Sequence, residues 1–458
     1  MAEKSFFKGI IDSTVTQYKH NGIAYVPYVD SQGNTLTMDD IWFTNEEGYR
    51  KICGVKKTSN KQDVEIFAAD TVDHKSDEGK QLLYTVNSPG VKMIFDNAGH
   101  FPVGLETDDG KSLDIKISAK TKEVLPIHAG ACEQLNIIYT GAPNSGKTVH
   151  CLQLSYPDLH DAMARETSFS ICDDVPIHSR SRMRYEEAAR RLKVEHILPP
   201  VTFRGEDITP YEYYVTYIDD SGVKNNAIVG ICDISGEECL HMTEDTRIFN
   251  YKTMYFIISA DELIAARNGG YADYSKVMDN LFRQIGKFKH MEVKLIISKA
   301  DLLFKGEKGL EDMNENNSIQ LTANGAIRLK THANGFDQAV YDKRQADARE
   351  IIREICPNLY NRLSAYIPPE RLTFAMISSL GTEAKERSDN DDKKYDIDEY
   401  DPYCIEEPFL ATLSRYGCYP MLNDGRESGA HARGESVDGL KIPNMSKLGK
   451  ILKKVVDN

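Results

Sequence analysis

The sequence predicts an α/β protein with a doubly wound, mostly parallel sheet, preceded by a β-rich module. From about residue 133, apolar strand candidates alternate with amphipathic helix candidates, which is typical of a parallel sheet covered on both faces. Before residue 130, short alternating segments are separated by turn signals, which is typical of a β-rich module. This change predicts boundaries at 1–130, 131–418 and 419–458, the last being a flexible tail with an amphipathic helix.

Composition excludes several classes of protein. The chain has 458 residues and a formal net charge of -14, so it is long enough for two or three domains and poorly suited to nucleic acid or anionic membranes as main partners. Its 9 cysteines show no CxxC pair and no paired Cys/His spacing, which argues against a structural zinc site and favours a reducing compartment. No signal peptide and no apolar run of membrane-spanning length is recognisable, so a cytoplasmic location is expected.

The N-terminal module is predicted from short segments with alternating polarity. Its strand candidates are GIAYVPYV, LTMDDIWF, KQLLYTVN, VKMIFDN and KSLDIKISAK, separated by the turn signals SQGN, NEEG, NSPG and DDGK. No catalytic cluster is recognisable there, and the sequence predicts no role for this module.

The second region is predicted from longer, more regular segments. Its strand candidates are LNIIYT, YEYYVTYI, NAIVGICD, TMYFIISA, VKLIISKA and RLTFAMIS, and its helix candidates include RSRMRYEEAARRLKV, YSKVMDNLFRQIGKF and QAVYDKRQADAREIIREI. The acidic stretch 383–401 is predicted to be a mobile loop, and PYCIEEPFLATLSRYG a closing helix. The final segment NMSKLGKILKKVVDN predicts an amphipathic helix docked on its own protein, with a partner or an acidic membrane surface as alternatives.

The stretch GAPNSGKT matches the phosphate-binding pattern GxxxxGK[ST] and lies between a buried-type strand and an amphipathic stretch. Its glycines let successive backbone N–H groups point at phosphate oxygens, and the helix start adds its positive dipole end. Lys147 is expected to bridge the β- and γ-phosphates, and the Thr148 hydroxyl to hold Mg²⁺. The predicted phosphate-binding residues of this P-loop are Gly141, Asn144, Ser145, Gly146, Lys147 and Thr148.

A carboxylate and a glycine after the strand NAIVGICD supply the next part of the predicted site. Asp233 ends this strand, where it can hold Mg²⁺ through the water shell of the ion. Gly236 follows three residues later and can offer its backbone N–H to the γ-phosphate without a side chain in the way. The arrangement DxxG is therefore expected to sense whether the third phosphate is present.

Two later strand ends predict a guanine site. Ser298, Lys299 and Asp301 lie at the end of the strand candidate VKLIISKA, at the sheet edge where ligands bind in doubly wound folds. A carboxylate at Asp301 can accept both the ring N–H and the exocyclic amine of guanine, which adenine cannot supply, and the stem of Lys299 can cover the base. Ser378 and Ser379 end the last strand and can contact the base through their backbone. Adenine remains the alternative base.

The ordered set GAPNSGKT, DISGE, SKAD and SS resembles the motifs of translation-factor-class (TRAFAC) P-loop GTPases over about residues 133–417. SKAD departs from the usual [NT]KxD, although Ser298 keeps a hydroxyl that can tie its loop to the P-loop. LPPVT, EEPFLATL and Glu237 after DxxG resemble bacterial "double-GTPase" type domains, which are often linked to anti-phage or other conflict systems. The resemblance implies a GTPase-like fold with GTP or GDP and Mg²⁺ as ligands.

This resemblance also implies a switch threonine and a residue that positions water. Thr202 is the first choice for closing on Mg²⁺ and the attacking water, and Thr209 is the second; an ordinary loop role is the alternative for Thr202. Glu237 replaces the usual glutamine, and because its charge opposes that of the γ-phosphate, slow intrinsic turnover is expected. The predicted catalytic residues are Lys147, Thr202 and Glu237, and the predicted metal ligands are Thr148, Thr202 and Asp233.

The arginine-rich helix candidate before Thr202 is predicted to present a solvated basic face, with an internal arginine finger as the alternative. Its arginines are Arg180, Arg182, Arg184, Arg190 and Arg191. Together the motifs predict a GTP-hydrolysing molecular switch that acts through another protein of the same system or a second copy of itself. A non-hydrolysing nucleotide-binding scaffold and a P-loop ATPase are the alternatives.

Overall fold

The computed structural model describes most of the chain. The described residues are 18–20, 23–53, 55–57, 64–66, 73, 75–96, 101–174, 180–199, 211–218, 222–241, 251–268, 273–283, 291–304, 313–387 and 390–422. Two predictions fall outside this part: the switch threonine, whether Thr202 or Thr209, and the lysine-rich C-terminal helix of residues 444–458.

The described part of residues 18–118 contains short strands that pair in small antiparallel sheets. The strands are β1 Tyr18–His20, β2 Ile23–Tyr25, β3 Tyr28–Val29, β4 Thr35–Leu36, β5 Ile41–Thr44, β6 Val55–Lys57, β7 Val64–Ile66, β8 Val91–Ile94, β9 Gly104–Thr107, β10 Ser112–Leu113 and β11 Ile115–Ser118. Phe43 of β5 and Phe101, between β8 and β9, belong to one buried cluster with Ile228. The buried side chains of β11, Ile115 and Ile117, form a second cluster with Tyr49.

Two sequence predictions in this region are wrong. NEEG, predicted as a turn, begins helix α1, Glu46–Cys53, because acidic residues in its first turn and basic residues in its last turn suit the helix dipole and form i,i+4 ion pairs. KQLLYTVN, predicted as a strand, contributes a single antiparallel bridge between Tyr84 and Phe43. Helix α2, Asp77–Lys80, precedes it because the Ser76 side chain accepts a hydrogen bond from the backbone of Gly79 and so caps the helix.

A seven-stranded mixed sheet forms the centre of the α/β part, with strand order β13-β14-β15-β12-β16-β17-β20. The later strands are β12 Glu133–Gly141, β13 Ser170–Asp173, β14 Tyr211–Ile218, β15 Lys224–Asp233, β16 Thr253–Ser259, β17 Glu292–Ser298, β18 Ile319–Leu321, β19 Ile327–Leu329, β20 Leu372–Met376, β21 Lys385–Arg387 and β22 Asn390–Lys394. The five strands from β15 to β20 in this order are parallel. The next strand, β14, is antiparallel to β15, and the edge strand β13 is antiparallel to β14. All six predicted strands are present; the edge strand β13 was not predicted.

The position of β12 determines where a ligand can bind. After β12 the chain builds β13, β14 and β15 on one side and then returns to the other side for β16, β17 and β20. The strand order therefore reverses at β12, and the loops after the five parallel strands share one edge of the sheet. In open α/β sheets, ligands bind in the crevice at such a switch point.

Both faces of the sheet are buried. Adjacent residues of its central strands point to opposite faces, so neighbouring residues belong to different hydrophobic clusters. Ile138, Ile258 and Ile297 belong to one hydrophobic cluster, whereas their neighbours Ile137 and Ile257 belong to the other. The covering helices are α3 Lys147–Leu154, α4 Pro157–Ala164, α5 Arg180–Val194, α6 Gly236–His241, α7 Ala260–Arg267, α8 Asp273–Phe282, α9 Gln338–Ile355, α10 Pro357–Tyr366 and α11 Glu407–Arg415. Across the described residues, none of these helices has the length and apolar character needed to cross a bilayer.

The acidic stretch 383–401, predicted to be a mobile loop, instead contains the antiparallel hairpin β21–β22. The prediction fails because low hydrophobicity says nothing about backbone pairing with a distant segment. Here Leu198 donates its backbone N–H to the carbonyl of Lys393 at 2.9 Å, and Tyr395, directly after β22, is buried.

Candidate functional site

The P-loop follows β12 in a backbone conformation that depends on its glycines. Gly141 and Gly146 have φ angles of 148° and 83°, and the exposed Asn144 between them has a φ of 61°. A Cβ at Gly141 would lie 2.3 Å from the carbonyl oxygen of Ile257 on the neighbouring strand. Only glycine fits that position, so the loop can curl tightly over the end of the sheet.

Lys147 is held inside this curl. Its ammonium donates hydrogen bonds to the carbonyl oxygens of Gly141 at 3.0 Å and Ala142 at 2.7 Å, and to the hydroxyl of Ser145 at 3.3 Å. The residue is only 5% exposed. A positive charge thus lies at the centre of the loop, at the first residue of α3.

Thr148 and Asp233 form the polar contact between the P-loop helix and β15. The Thr148 hydroxyl donates to Oδ2 of Asp233 at 2.5 Å, whereas Oδ1 is buried and has no hydrogen-bond partner within the described residues. Burial raises the pKa of the Asp233 carboxyl, although nearby Lys147 and the Thr148 hydrogen bond both act to lower it. A buried acceptor oxygen beside a threonine hydroxyl fits the ligand chemistry of Mg²⁺, which prefers oxygen donors.

Gly236 brings the segment after β15 into direct contact with the P-loop. A Cβ on Gly236 would lie 2.2 Å from the backbone nitrogen of Pro143 and 2.6 Å from the carbonyl carbon of Ala142. Helix α6 begins at Gly236, and the exposed Glu237 is its second residue. A shift of the P-loop backbone at Ala142 and Pro143 would therefore move the start of α6 through direct backbone contact.

The segment after β17 is bonded to the P-loop on one side and to the last strand on the other. The Ser298 hydroxyl donates to the carbonyl of Ser145 at 2.5 Å, which is the link between the two loops that the sequence predicts. Asp301 accepts a 2.5 Å hydrogen bond on Oδ1 from the hydroxyl of Ser378. Lys299 has a φ of 52°, and its ammonium forms a 3.0 Å ion pair with Asp261.

The turn after β20 is fixed by contacts that sequence patterns did not reveal. Ser378 exchanges two backbone hydrogen bonds with Tyr403, at 3.0 and 2.8 Å. Gln153 of the P-loop helix is fully buried and donates from Nε2 to the carbonyl of Ser379. No local motif marks Gln153 or Tyr403, because each acts on a segment far away in the sequence.

The structure thus places most predicted site residues at one edge of one sheet. The P-loop residues, Asp233 and Gly236 form one connected group, and Ser298, Asp301, Ser378 and Ser379 are joined to it through Ser145 and Gln153. Thr202 lies outside the described residues.

The arginines of α5 whose side chains are described are engaged in ion pairs. Arg182 pairs with Glu186 at 2.7 Å, and Arg190 pairs with Glu187 at 2.9 Å and Glu195 at 2.7 Å. These contacts match the predicted solvated helix face, on which exposed pairs contribute little stability.

Comparisons with known proteins add little beyond this geometry. No family model matches the chain, and no curated protein matches it. Among solved structures, it is similar to the small GTPase Arl6 (BBS3) of Trypanosoma brucei with the bound nucleotide analogue GppNp, at 12% identity over 62% of this chain and 97% of that chain. The TM-score is 0.26, so this likeness carries no argument about the present chain.

Proposed function

We propose that this chain is a GTP-binding, GTP-hydrolysing molecular switch. The observation that supports it most is the Thr148–Asp233 pair, whose second carboxylate oxygen is buried without a partner among the described residues, beside the ammonium of Lys147. Such an arrangement suits a magnesium-bound phosphate chain, and it lies at the switch point of the sheet.

The phosphate chain would be bound by backbone N–H groups of the P-loop and by Lys147. Backbone N–H groups of the curled loop and the start of α3 would face the phosphates, and Lys147 would turn from the carbonyls of Gly141 and Ala142 to the β- and γ-oxygens. Thr148 and Asp233 would hold Mg²⁺, which when bound neutralises charge on the β- and γ-phosphates.

The base would be recognised by Asp301. Each carboxylate oxygen can accept two hydrogen bonds, so Oδ1 can keep the Ser378 hydroxyl while the carboxylate accepts the ring N–H and amine of guanine. Adenine offers no ring N–H to that edge. Because Ser298 bonds the Asp301 loop to the P-loop, the base and phosphate sites have a fixed separation.

The switch would operate through Gly236 and Thr202. A γ-phosphate in the P-loop would change the position of α6 through the tight backbone contact at Gly236, and Thr202 would close on the metal and the attacking water. Since Glu237 is an exposed carboxylate where the resemblance implies a glutamine, intrinsic turnover would be slow, and a protein partner or a second copy would complete the site. The resemblance to conflict-system GTPases supports the further proposal that this partner belongs to the same cytoplasmic defence or signalling system.

A non-hydrolysing scaffold is the second candidate. Glu237 favours it, because a carboxylate next to the γ-phosphate repels the charge of the substrate and cannot donate an amide hydrogen bond. The scaffold would bind GTP through the same residues but release no phosphate. A P-loop ATPase is the third candidate, and it differs only in base preference.

A phosphate-release assay with GTP and ATP separates these candidates. We expect slow release from GTP by the unmodified chain, loss of release in Lys147→Ala, and unchanged release in Lys193→Ala, whose exposed lysine pairs with Asp158. GTP binding without release would favour the scaffold, and faster release from ATP the ATPase. Equal hydrogen-exchange protection of residues 233–240 by GTP and GDP would contradict a switch.

A further inference from the structure

A buried amide on the P-loop helix α3 holds the turn after β20, residues 378–381, which we call the base turn. Gln153 is 0% exposed, and its Nε2 donates to the carbonyl of Ser379 and, at 3.3 Å, to the hydroxyl oxygen of Tyr400. Resting on the proposed function, we propose that Gln153 is a positioning residue, which sets the preference of the site for guanine by holding the base turn against α3.

The amide of Gln153 contributes little to stability. Its Oε1 atom is buried and has no hydrogen-bond partner within the described residues. A buried polar atom without a partner loses its hydration and gains nothing in return, so the gain from the Nε2 bonds is offset. An apolar side chain of the same length would not carry this cost. The bond from Gln153 to the Ser379 carbonyl is therefore explained better by position than by stability.

The bond to Ser379 determines how the base turn is oriented. In a planar trans peptide unit the carbonyl and the N–H point in opposite directions. Because the Ser379 carbonyl is held toward α3, the N–H of Leu380 is directed away from α3. An N–H of the base turn that faces guanine can donate to O6, whereas adenine carries an amine at the same position. The base turn would thus discriminate at O6, while Asp301 reads the ring N–H and the 2-amine.

The base turn is also bonded to the chain that leads into α11. Ser378 exchanges two backbone hydrogen bonds with Tyr403, at 3.0 and 2.8 Å. Asp401 donates its backbone N–H to the carbonyl of Leu380 at 3.0 Å. These contacts give the turn its shape, whereas Gln153 bonds it directly to the helix that begins at the P-loop.

His150 gives the same face of α3 a second anchor, one helical turn before Gln153. Its Nε2 lies 2.7 Å from the carbonyl oxygen of Ile405. Burial lowers the pKa of His150 to about 4, so the ring is neutral near pH 7. In the neutral ring Nε2 carries the donated proton, and Nδ1 can accept from the Tyr139 hydroxyl at 3.2 Å. Two buried donors of α3 thus hold the base turn and the chain that supports it.

Equilibrium affinities of the full chain for three magnesium-bound ligands test the proposal. The ligands are a non-hydrolysable GTP analogue, the corresponding ATP analogue and inorganic tripolyphosphate, which carries no base. Gln153→Met keeps about the length of the side chain and removes its donor. We expect it to lower the affinity ratio of the GTP analogue over the ATP analogue about 5- to 10-fold, which is the effect of one hydrogen bond. Affinity for tripolyphosphate should change by less than about twofold, and the melting temperature should not fall.

Gln134→Met is the matched control. The Gln134 amide also bonds to backbone, donating to the carbonyl of Val29 and accepting from its N–H, both at 3.1 Å, but at the end of β12 far from the P-loop. It should leave the affinity ratio unchanged. An unchanged ratio in Gln153→Met, or an equal loss for all three ligands, would overturn the positioning role while leaving the proposed function intact. Failure of the GTP analogue to bind the unmodified chain would instead remove the proposed function and this role with it.

If Gln153→Met does not fold, Gln153→Glu provides a second test. It keeps the length and shape of the side chain, but it can donate to the Ser379 carbonyl only in its protonated form. Its affinity ratio should therefore fall as the pH rises from about 6 to about 8.5, relative to the unmodified chain. A ratio below that of the unmodified chain, at all pH values or only at the higher ones, supports the proposal. Equality at every pH would overturn it.

Discussion

At the scale of single residues, Gly236 leaves no room for a side chain. Gly236→Ala would place a Cβ 2.2 Å from the backbone of Pro143, and neither backbone can yield easily. We expect a loss of about 1–3 kcal/mol in the free energy of unfolding and a smaller affinity ratio of GTP over GDP. Gly222→Ala is the control, since nothing lies within 4 Å of its added Cβ and only its φ of 80° is costly. Chemical denaturation and equilibrium binding measure both effects; a normal affinity ratio in Gly236→Ala would contradict the sensing role of Gly236.

Lys116 gives a residue-scale prediction on pH. It is buried, donates to the carbonyl of Ala129 at 2.8 Å, and lies over the rings of Phe43 and Phe101. Burial lowers its pKa from 10.5 to about 7, against the opposing influence of Asp174 and other nearby groups. Between these values the unfolded chain binds more protons than the folded chain, so this residue makes stability rise with pH in that window.

Lys116→Met should therefore raise stability most at and below about pH 7, where the folded chain carries Lys116 in its charged form. Its advantage over the unmodified chain should shrink by about 1.4 kcal/mol per pH unit at most as the pH rises toward 10.5. Urea unfolding at several pH values measures this slope. A stability difference independent of pH would show that the folded chain keeps Lys116 charged.

At the scale of elements, α9 and α11 are held together by a buried ion pair. Arg344 contacts the carboxylate of Glu407, which is 3% exposed at its side chain and also accepts a 2.9 Å bond from His332. Arg344→Met should cost about 3–5 kcal/mol, because it leaves the Glu407 charge without its strongest partner. Arg353→Met on the same helix breaks an exposed pair with Glu350 and should cost about 0–1 kcal/mol. Equal losses in denaturant unfolding would mean that the buried pair contributes no more than the exposed one.

The sequence predicted those elements that show a clear hydrophobic pattern within their own residues. Six strands of the central sheet carry continuous apolar runs, and all six were predicted: β12, β14, β15, β16, β17 and β20. Helices α5 and α9 were predicted as well. The strand β13 and the hairpin β21–β22 were missed, because their stability comes from pairing with β14 and with residues 196–198. Helix α1 was missed because a glycine and two glutamates resemble a turn until their ion pairs with later residues are considered.

At the scale of the whole molecule, the sheet order brings the predicted site residues together. Lys147, Asp233 and Asp301 are far apart in the sequence, yet each follows a strand that ends at the same edge. Sequence motifs predicted these residues because phosphate and base chemistry restricts their type. Gln153 and Tyr403 were not predicted, since their importance comes from segments that only the folded chain places beside them.

The central claim is that Asp301 selects guanine for the nucleotide held by the P-loop. Equilibrium affinities for GTP and xanthosine triphosphate, measured for the unmodified chain, Asp301→Asn and the exposed control Asp398→Asn, test it most directly. We predict that Asp301→Asn binds GTP about 10- to 100-fold more weakly and gains affinity for xanthosine triphosphate, while Asp398→Asn matches the unmodified chain. Unchanged GTP affinity in Asp301→Asn, with no gain for xanthosine triphosphate, would contradict the claim.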